Sequence, residues 1–161
     1  MRISTGQTRL VVVGLVVLAL GALTLAQGNS SVGTWRLNVA KSKYSPGPAP
    51  KSTTITIVAA GTGATTTSDA VTADGATQRW SYTGGYDGKD MPMTGNNPFG
   101  DTASRKRIDA NTTETTFKKA GKVTLVNTVV VSADGKTLTV TGKGTDDQGR
   151  PLNLLQIFER Q

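Results

Sequence analysis

"KVTLVNTVVVSADGKTLTVTGKGTDDQGRPLNLLQIFER", residues Lys122 to Arg160, decides the fold class. Three segments rich in Thr, Val and Leu, at 122–132, 137–144 and 152–160, are separated by Asp134-Gly135 and by Asp147-Gln148-Gly149-Arg150. Side chains along a strand alternate between its two faces. Val123, Leu125, Val129 and Val131 share one parity with Asn127, Leu138 pairs with Val140, and Leu154 and Phe158 share theirs with Gln156. No apolar stripe recurs at helical spacing. Asp-Gly between alternating segments signals a tight hairpin, since both central residues of a type I′ turn need positive φ. The stretch therefore reads as three consecutive antiparallel strands.

The same grammar extends towards the N-terminus. Further strands are expected at 33–39, 52–59, 64–73, 77–86, 102–109 and 112–118, with turns at Asp74-Gly75 and Ala120-Gly121. The echo between "VTADGATQ" from Val71 and "VSADGKTL" from Val131 fades outside the turn, so it marks one favoured hairpin used twice. The prolines of Ser45-Pro46-Gly47-Pro48-Ala49-Pro50 cannot donate to a ladder and mark a connection or an edge cover. Residues 84–100, "GGYDGKDMPMTGNNPFG", read as a short irregular strand and a loop packed over an open sheet end. The fold class expected is all-β: a single antiparallel up-and-down barrel of about 8–10 strands, closed so that no edge stays exposed.

Residues 1–26 precede this domain. Arg2 and Arg9, an apolar run from Leu10 to Leu25 and small residues up to Ala26 follow the order of a cleavable secretory signal. The run is shorter than the roughly 20 residues of a spanning helix. The expectation is a barrel domain at 27–161, secreted or periplasmic, monomeric and without a membrane span after cleavage. The chain of 161 residues carries a net charge of +7, two units of it from Arg2 and Arg9. Few aromatics lie among the basic residues, so nucleic acid is not an expected partner.

The chain has no Cys and no His. Disulfides, thiol nucleophiles, histidine-assisted serine hydrolysis and histidine-ligated metals are thereby removed. What is left for acid–base work is Asp and Glu. Glu114 and Glu159 have the parity opposite to Phe117 and Phe158, which places them outside, and Asp69, Asp74, Asp87, Asp134, Asp146 and Asp147 are read mostly as turn residues. Asp87-Gly88-Lys89-Asp90 lacks the ligand spacing of a calcium loop. No enzyme, metal or cofactor is expected.

"GTWRLN" near the start of the domain and "IFER" at its end resemble the first-strand Gly-x-Trp and last-strand Arg of lipocalins, fatty-acid-binding proteins and related calycin barrels. Together with "YDGKD" and "KRIDANTTE", the chain is similar to secreted bacterial proteins with lipocalin-like barrels and no assigned activity. The resemblance implies that Gly33, Trp35 and Arg160 close one end of the barrel, with the Arg stacked over the Trp. The chain lacks the C-terminal helix and the disulfide of many lipocalins, and a Pro/Gly segment stands where fatty-acid-binding proteins have a two-helix lid.

The inward parities define a candidate ligand site. Gln78, Trp80 and Tyr82 share a face with Tyr86, and Asn127 and Gln156 are the polar members of otherwise apolar rows. In Arg105-Lys106-Arg107 the parity is open: Ala103 facing inwards takes Arg105 and Arg107 with it, whereas Ile108 facing inwards takes Lys106. Such basic runs more often form a solvated outer face, but an inward Arg105 would offer a carboxylate two parallel hydrogen bonds. Two functions follow. One is a binder of a small hydrophobic or anionic ligand, marked by a cavity of roughly 300 Å³ or more beside Trp80 and Tyr82. The other is a non-catalytic envelope structural or interaction protein with a filled barrel.

Overall fold

Ten antiparallel strands close on themselves in a computed structural model that describes residues 30–161. The signal-peptide expectation for residues 1–26 lies outside the described residues. The strands are β1 (Gly33–Leu37), β2 (Lys43–Ser45), β3 (Ser52–Ala60), β4 (Gly63–Val71), β5 (Thr77–Gly84), β6 (Asp87–Gly95), β7 (Thr102–Arg107), β8 (Thr112–Lys119), β9 (Lys122–Val131), β10 (Thr137–Thr145) and β11 (Pro151–Arg160). From β3 onwards each strand pairs with the next, β1 pairs with β3, and β1 with β11 completes the ring. No described helix is long and apolar enough to cross a membrane.

β2 is an addition that the sequence reading lacked. β11 pairs with β1 through Phe158 to Arg160 and with β2 through Asn153 to Leu155. Between them the chain makes a 3-10 turn at Val39–Lys41. Its flanks keep the ladder satisfied: Asn38 N–H donates to the Ile157 carbonyl at 2.7 Å, and Ile157 N–H donates to Ser42 Oγ at 3.0 Å. β1 and β2 thus act as one bent strand along β11, and the proline segment 46–50 carries the chain across to β3.

Three local expectations need correction. Residues 87–95 form a full strand. Met93 N–H donates to Asp101 O towards β7, so the ring nitrogen of Pro92 faces β5, where the β5–β6 ladder stops at Tyr82 and Met93. The two Asp-Gly turns are not type I′. Gly75 and Gly135 alone take positive φ, while Asp74 and Asp134 bond back to the N–H groups of Ala76 and Lys136. Ala120-Gly121, with φ of 50° and 77°, is the turn with both central residues left-handed.

The third correction concerns Val123, which is 47% exposed. Phe117 lies opposite Leu125, but the next pair is Lys118 with Val123, so Thr124 is an extra residue in β9. A bulge of one residue inverts the parity beyond it. Leu125, Val129 and Val131 keep the inward face, and Val123 joins Lys118 outside.

The core runs around the inner wall in two clusters. Trp35, Leu37, Ile57, Val131, Leu138, Val140 and Phe158 pack at one end, and Tyr82, Met91, Ala103, Phe117, Leu125 and Leu154 towards the other. Many inward positions are small: Ala64, Ser68, Ala70, Ala103, Gly142 and Gly144. A ten-stranded barrel is wider than one of eight strands, and small side chains do not fill the difference.

Candidate functional site

At one end Trp35 is fully buried and its Nε1–H donates to Ser31 O at 2.8 Å. Arg160, in register with it on β11, places its guanidinium 4.1 Å from the indole centroid. Arg160 also donates to the carbonyls of Gly135, Val32 and Ser30 at 2.6 to 2.8 Å. Gly33 is required here: its φ is +144°, and a Cβ would stand 2.3 Å from Arg160 Nη1. Gly33, Trp35 and Arg160 therefore meet as the sequence predicts.

Beyond this end the barrel holds a cavity of about 230 Å³ that extends to Pro48, Pro50 and Pro98 at the other end. All six sequence-named interior residues, Gln78, Trp80, Tyr82, Arg105, Asn127 and Gln156, line it. The volume is below the 300 Å³ expected, yet the interior is not filled. One wall is aromatic. Trp80 stacks on Tyr82 at 6.0 Å, and both meet Phe117 edge-on at 6.0 and 6.4 Å. Leu138, Val140, Leu154 and Phe158 form the opposite wall.

Arg105 faces inwards and is 4% exposed, because Ala103 and Arg105 share the inner parity and Ile108 lies outside. The solvated-face reading of this residue is thus overturned. Its Nη2 donates to the carbonyls of Ala64 and Gly84, each at 2.6 Å, and its Nη1 to Thr66 Oγ1 at 3.1 Å. These bonds tie down the ends of β4 and β5 where the ladder to β6 is missing. They also occupy both hydrogens of Nη2, so the donors that an inward Arg105 would offer a carboxylate are partly taken up by main chain. Nε remains buried without a hydrogen-bond partner.

Around this guanidinium lie Tyr82, at 5.0 Å from ring centroid to Cζ, and Tyr86, at 4.6 Å. Arg107 covers Tyr86 as well, at 4.4 Å. Among the described residues no carboxylate forms an ion pair with Arg105 or Arg107; the recorded ion pairs involve other cations. Burial pushes the Tyr82 hydroxyl well above the ordinary phenol range, with the Arg105 charge opposing, so it stays protonated. Burial likewise raises the Tyr44 hydroxyl, which accepts a 3.1 Å bond from Gln156 Nε2.

Two residues that sequence reasoning missed contribute here. Tyr44 comes from β2, which is too short to show alternation. Thr66 belongs to the inward row Ala64, Thr66, Ser68 and Ala70, whose small polar members carry no hydrophobic signal. Asn127 is in the cavity wall as expected, with Oδ1 buried and unpartnered. Glu159 lies outside with Asn38 and Lys41, and Asp69, read as a turn residue, lies on β4 paired with Arg79. Among the described residues no three of His, Cys, Asp and Glu gather into a metal-sized group. The chain matches no protein-family model, and no curated protein matches its sequence.

Proposed function

We propose that this barrel is a non-catalytic binding protein for one small, partly apolar ligand, exported once residues 1–26 are removed. The observation that carries the reading is the cavity: an aromatic and aliphatic chamber of about 230 Å³ into which Gln78, Arg105, Asn127 and Gln156 bring polar groups. Mostly apolar walls with a few placed polar groups are the general form of small-molecule sites. The volume suits a ligand smaller than drug-sized compounds. A structural protein with a filled barrel would have larger side chains where Ser68 and Ala70 line the chamber. The non-catalytic part rests on the absence of Cys and His and on the carboxylates: hydrogen bonds hold Asp74, Asp87, Asp101, Asp109, Asp134, Asp146 and Glu159 below their ordinary range. A general acid at neutral pH needs the opposite shift.

Native mass spectrometry of protein isolated from its source cells without denaturation tests the reading. The expected spectrum shows a mass increment of a few hundred daltons or less that disappears on denaturation, and mature protein beginning at Gln27. A protein that carries no increment and, after stripping, binds nothing from a cell extract would overturn it.

A further inference from the structure

Three uncharged polar side chains line the cavity near its Pro48, Pro50 and Pro98 end: Thr53 on β3, Ser68 on β4 and Gln78 on β5. On the outer face of the same sheet, hydroxyls find each other across strands, Thr65 with Thr83 at 2.8 Å and Thr67 with Ser81 at 3.2 Å. Deeper in the chamber Thr66 is taken by Arg105. Thr53, Ser68 and Gln78 have no side-chain hydrogen-bond partner among the described residues, although buried polar groups are almost always satisfied. A ligand atom can reach them. The enclosed polar atoms without a partner are Arg105 Nε and Asn127 Oδ1. The oxygens of Thr53 and Ser68 are not enclosed in this way, so both keep surface open to the chamber that they line.

The sheet register brings the three together. Thr53 lies opposite Ala70, and Ala70 opposite Gln78, so one row carries a hydroxyl and a carboxamide with only a methyl group between them. Two strand spacings separate their backbones, about 9–10 Å. Ser68 belongs to the next inward row, between Ile55 and Trp80. Trp80 follows Gln78 on the same face of β5, so the carboxamide stands beside an indole. Charge is absent from this end. Arg105 is the one charged side chain in the cavity lining, and it sits towards the other end, bonded to Ala64 and Gly84 and faced by the rings of Tyr82 and Tyr86.

Resting on the binding reading above, we infer that the ligand is a neutral, flat heterocycle of one or two fused rings with a lactam edge, its N–H and C=O side by side. The Gln78 carboxamide presents the complementary donor and acceptor, so this edge takes two parallel hydrogen bonds, whereas an ether or a tertiary amide uses one. The ring body lies between Trp80 and the aliphatic wall of Val140 and Leu154. Thr53 and Ser68, each able to donate or accept, serve the polar substituents next to the lactam. A charged ligand would lose its hydration here without a counter-ion.

Three probes of similar size separate this inference from the binding reading itself: quinolin-2(1H)-one, its N-methyl derivative, and anionic 2-naphthoate. Their affinities are measured by isothermal titration calorimetry on the folded chain at pH 7. The lactam is expected to bind at least tenfold more tightly than either of the others. Gln78→Leu brings the ratio of lactam to N-methyl affinity close to one. Thermal melts check that the variant folds, and if it does not the wild-type series alone decides. An N-methyl compound or a naphthoate that binds as well as the lactam overturns the inference while leaving a binding barrel. Absence of binding by all three also overturns it, and the native mass spectrum then decides separately on the binding reading.

Discussion

Trp35 and Arg160 close one end of the barrel by different means. The indole is fully buried in the core cluster at that end, while Arg160 spends its donors on three carbonyls and lays its guanidinium over the ring. Truncating a packed Trp removes its transfer energy and leaves a void. Trp35→Ala is expected to cost about 3–5 kcal/mol, read as a lowered urea midpoint at unchanged slope. Arg160→Met keeps aliphatic cover over the ring but abandons the carbonyls of Gly135, Val32 and Ser30, so it should also destabilise, by about 1–3 kcal/mol. A Trp35→Ala protein as stable as wild type would mean that the barrel end does not depend on this contact. Arg105 is a different kind of residue. Its role in tying β4 to β5 is structural, and it brings a charge to the cavity wall.

Among the elements, β9 and β10 show what glycine does for the wall. The extra residue Thr124 pushes its carbonyl towards β10, where a Cβ on Gly144 would lie 1.9 Å from it. Backbone cannot swing aside, so Gly144→Ala should cost about 2–3 kcal/mol. At Gly142 the obstacle is the Asn127 side chain, which can turn away. Gly142→Ala should change stability by less than about 1 kcal/mol while displacing the Asn127 carboxamide. Equal urea midpoints for the two variants would refute this account of the bulge. The same bulge marks where the sequence stops being legible. Alternation placed Gln78, Trp80, Tyr82, Asn127 and Gln156 correctly because it is a property of each strand alone. It misplaced Val123 because a bulge depends on the neighbouring strand. Pro92 read as loop because its ring is harmless only where the β5–β6 ladder has already ended. Neither local pattern nor composition could choose between Arg105 and Lys106, or reveal how much space ten strands enclose, since both depend on closure of the whole sheet.

At the scale of the molecule, the distribution of titratable groups sets a pH window for folding. With no His, no side chain with an ordinary pKa between about 5 and 8 is present. On the acid side, Asp74 and Asp134 are held down first by the hydroxyls of Thr72 and Ser132, Asp101, Asp109 and Asp146 by backbone N–H groups, and Asp87 and Glu159 by the side chains of Lys89 and Asn38. A carboxylate whose folded pKa lies below its unfolded value stabilises the fold above the unfolded value, about 4, and loses that contribution as pH falls through the folded one. These seven groups mostly clamp turns, so acid should loosen the hairpin ends together. On the alkaline side Tyr44 and Tyr82 have raised pKa values because burial disfavours the phenolate. Their contribution is complete below the unfolded value of about 10 and is lost as pH rises beyond it. The expected profile of melting temperature against pH is therefore a plateau from about 5 to 9, with a fall below about 4 and another above about 10. Tyr82→Phe removes one of the two buried phenols and should make the alkaline fall shallower, whereas Asp134→Asn should do the same for the acid fall. A melting temperature that varied strongly between pH 5 and 8 would point to a titrating group that the barrel does not contain.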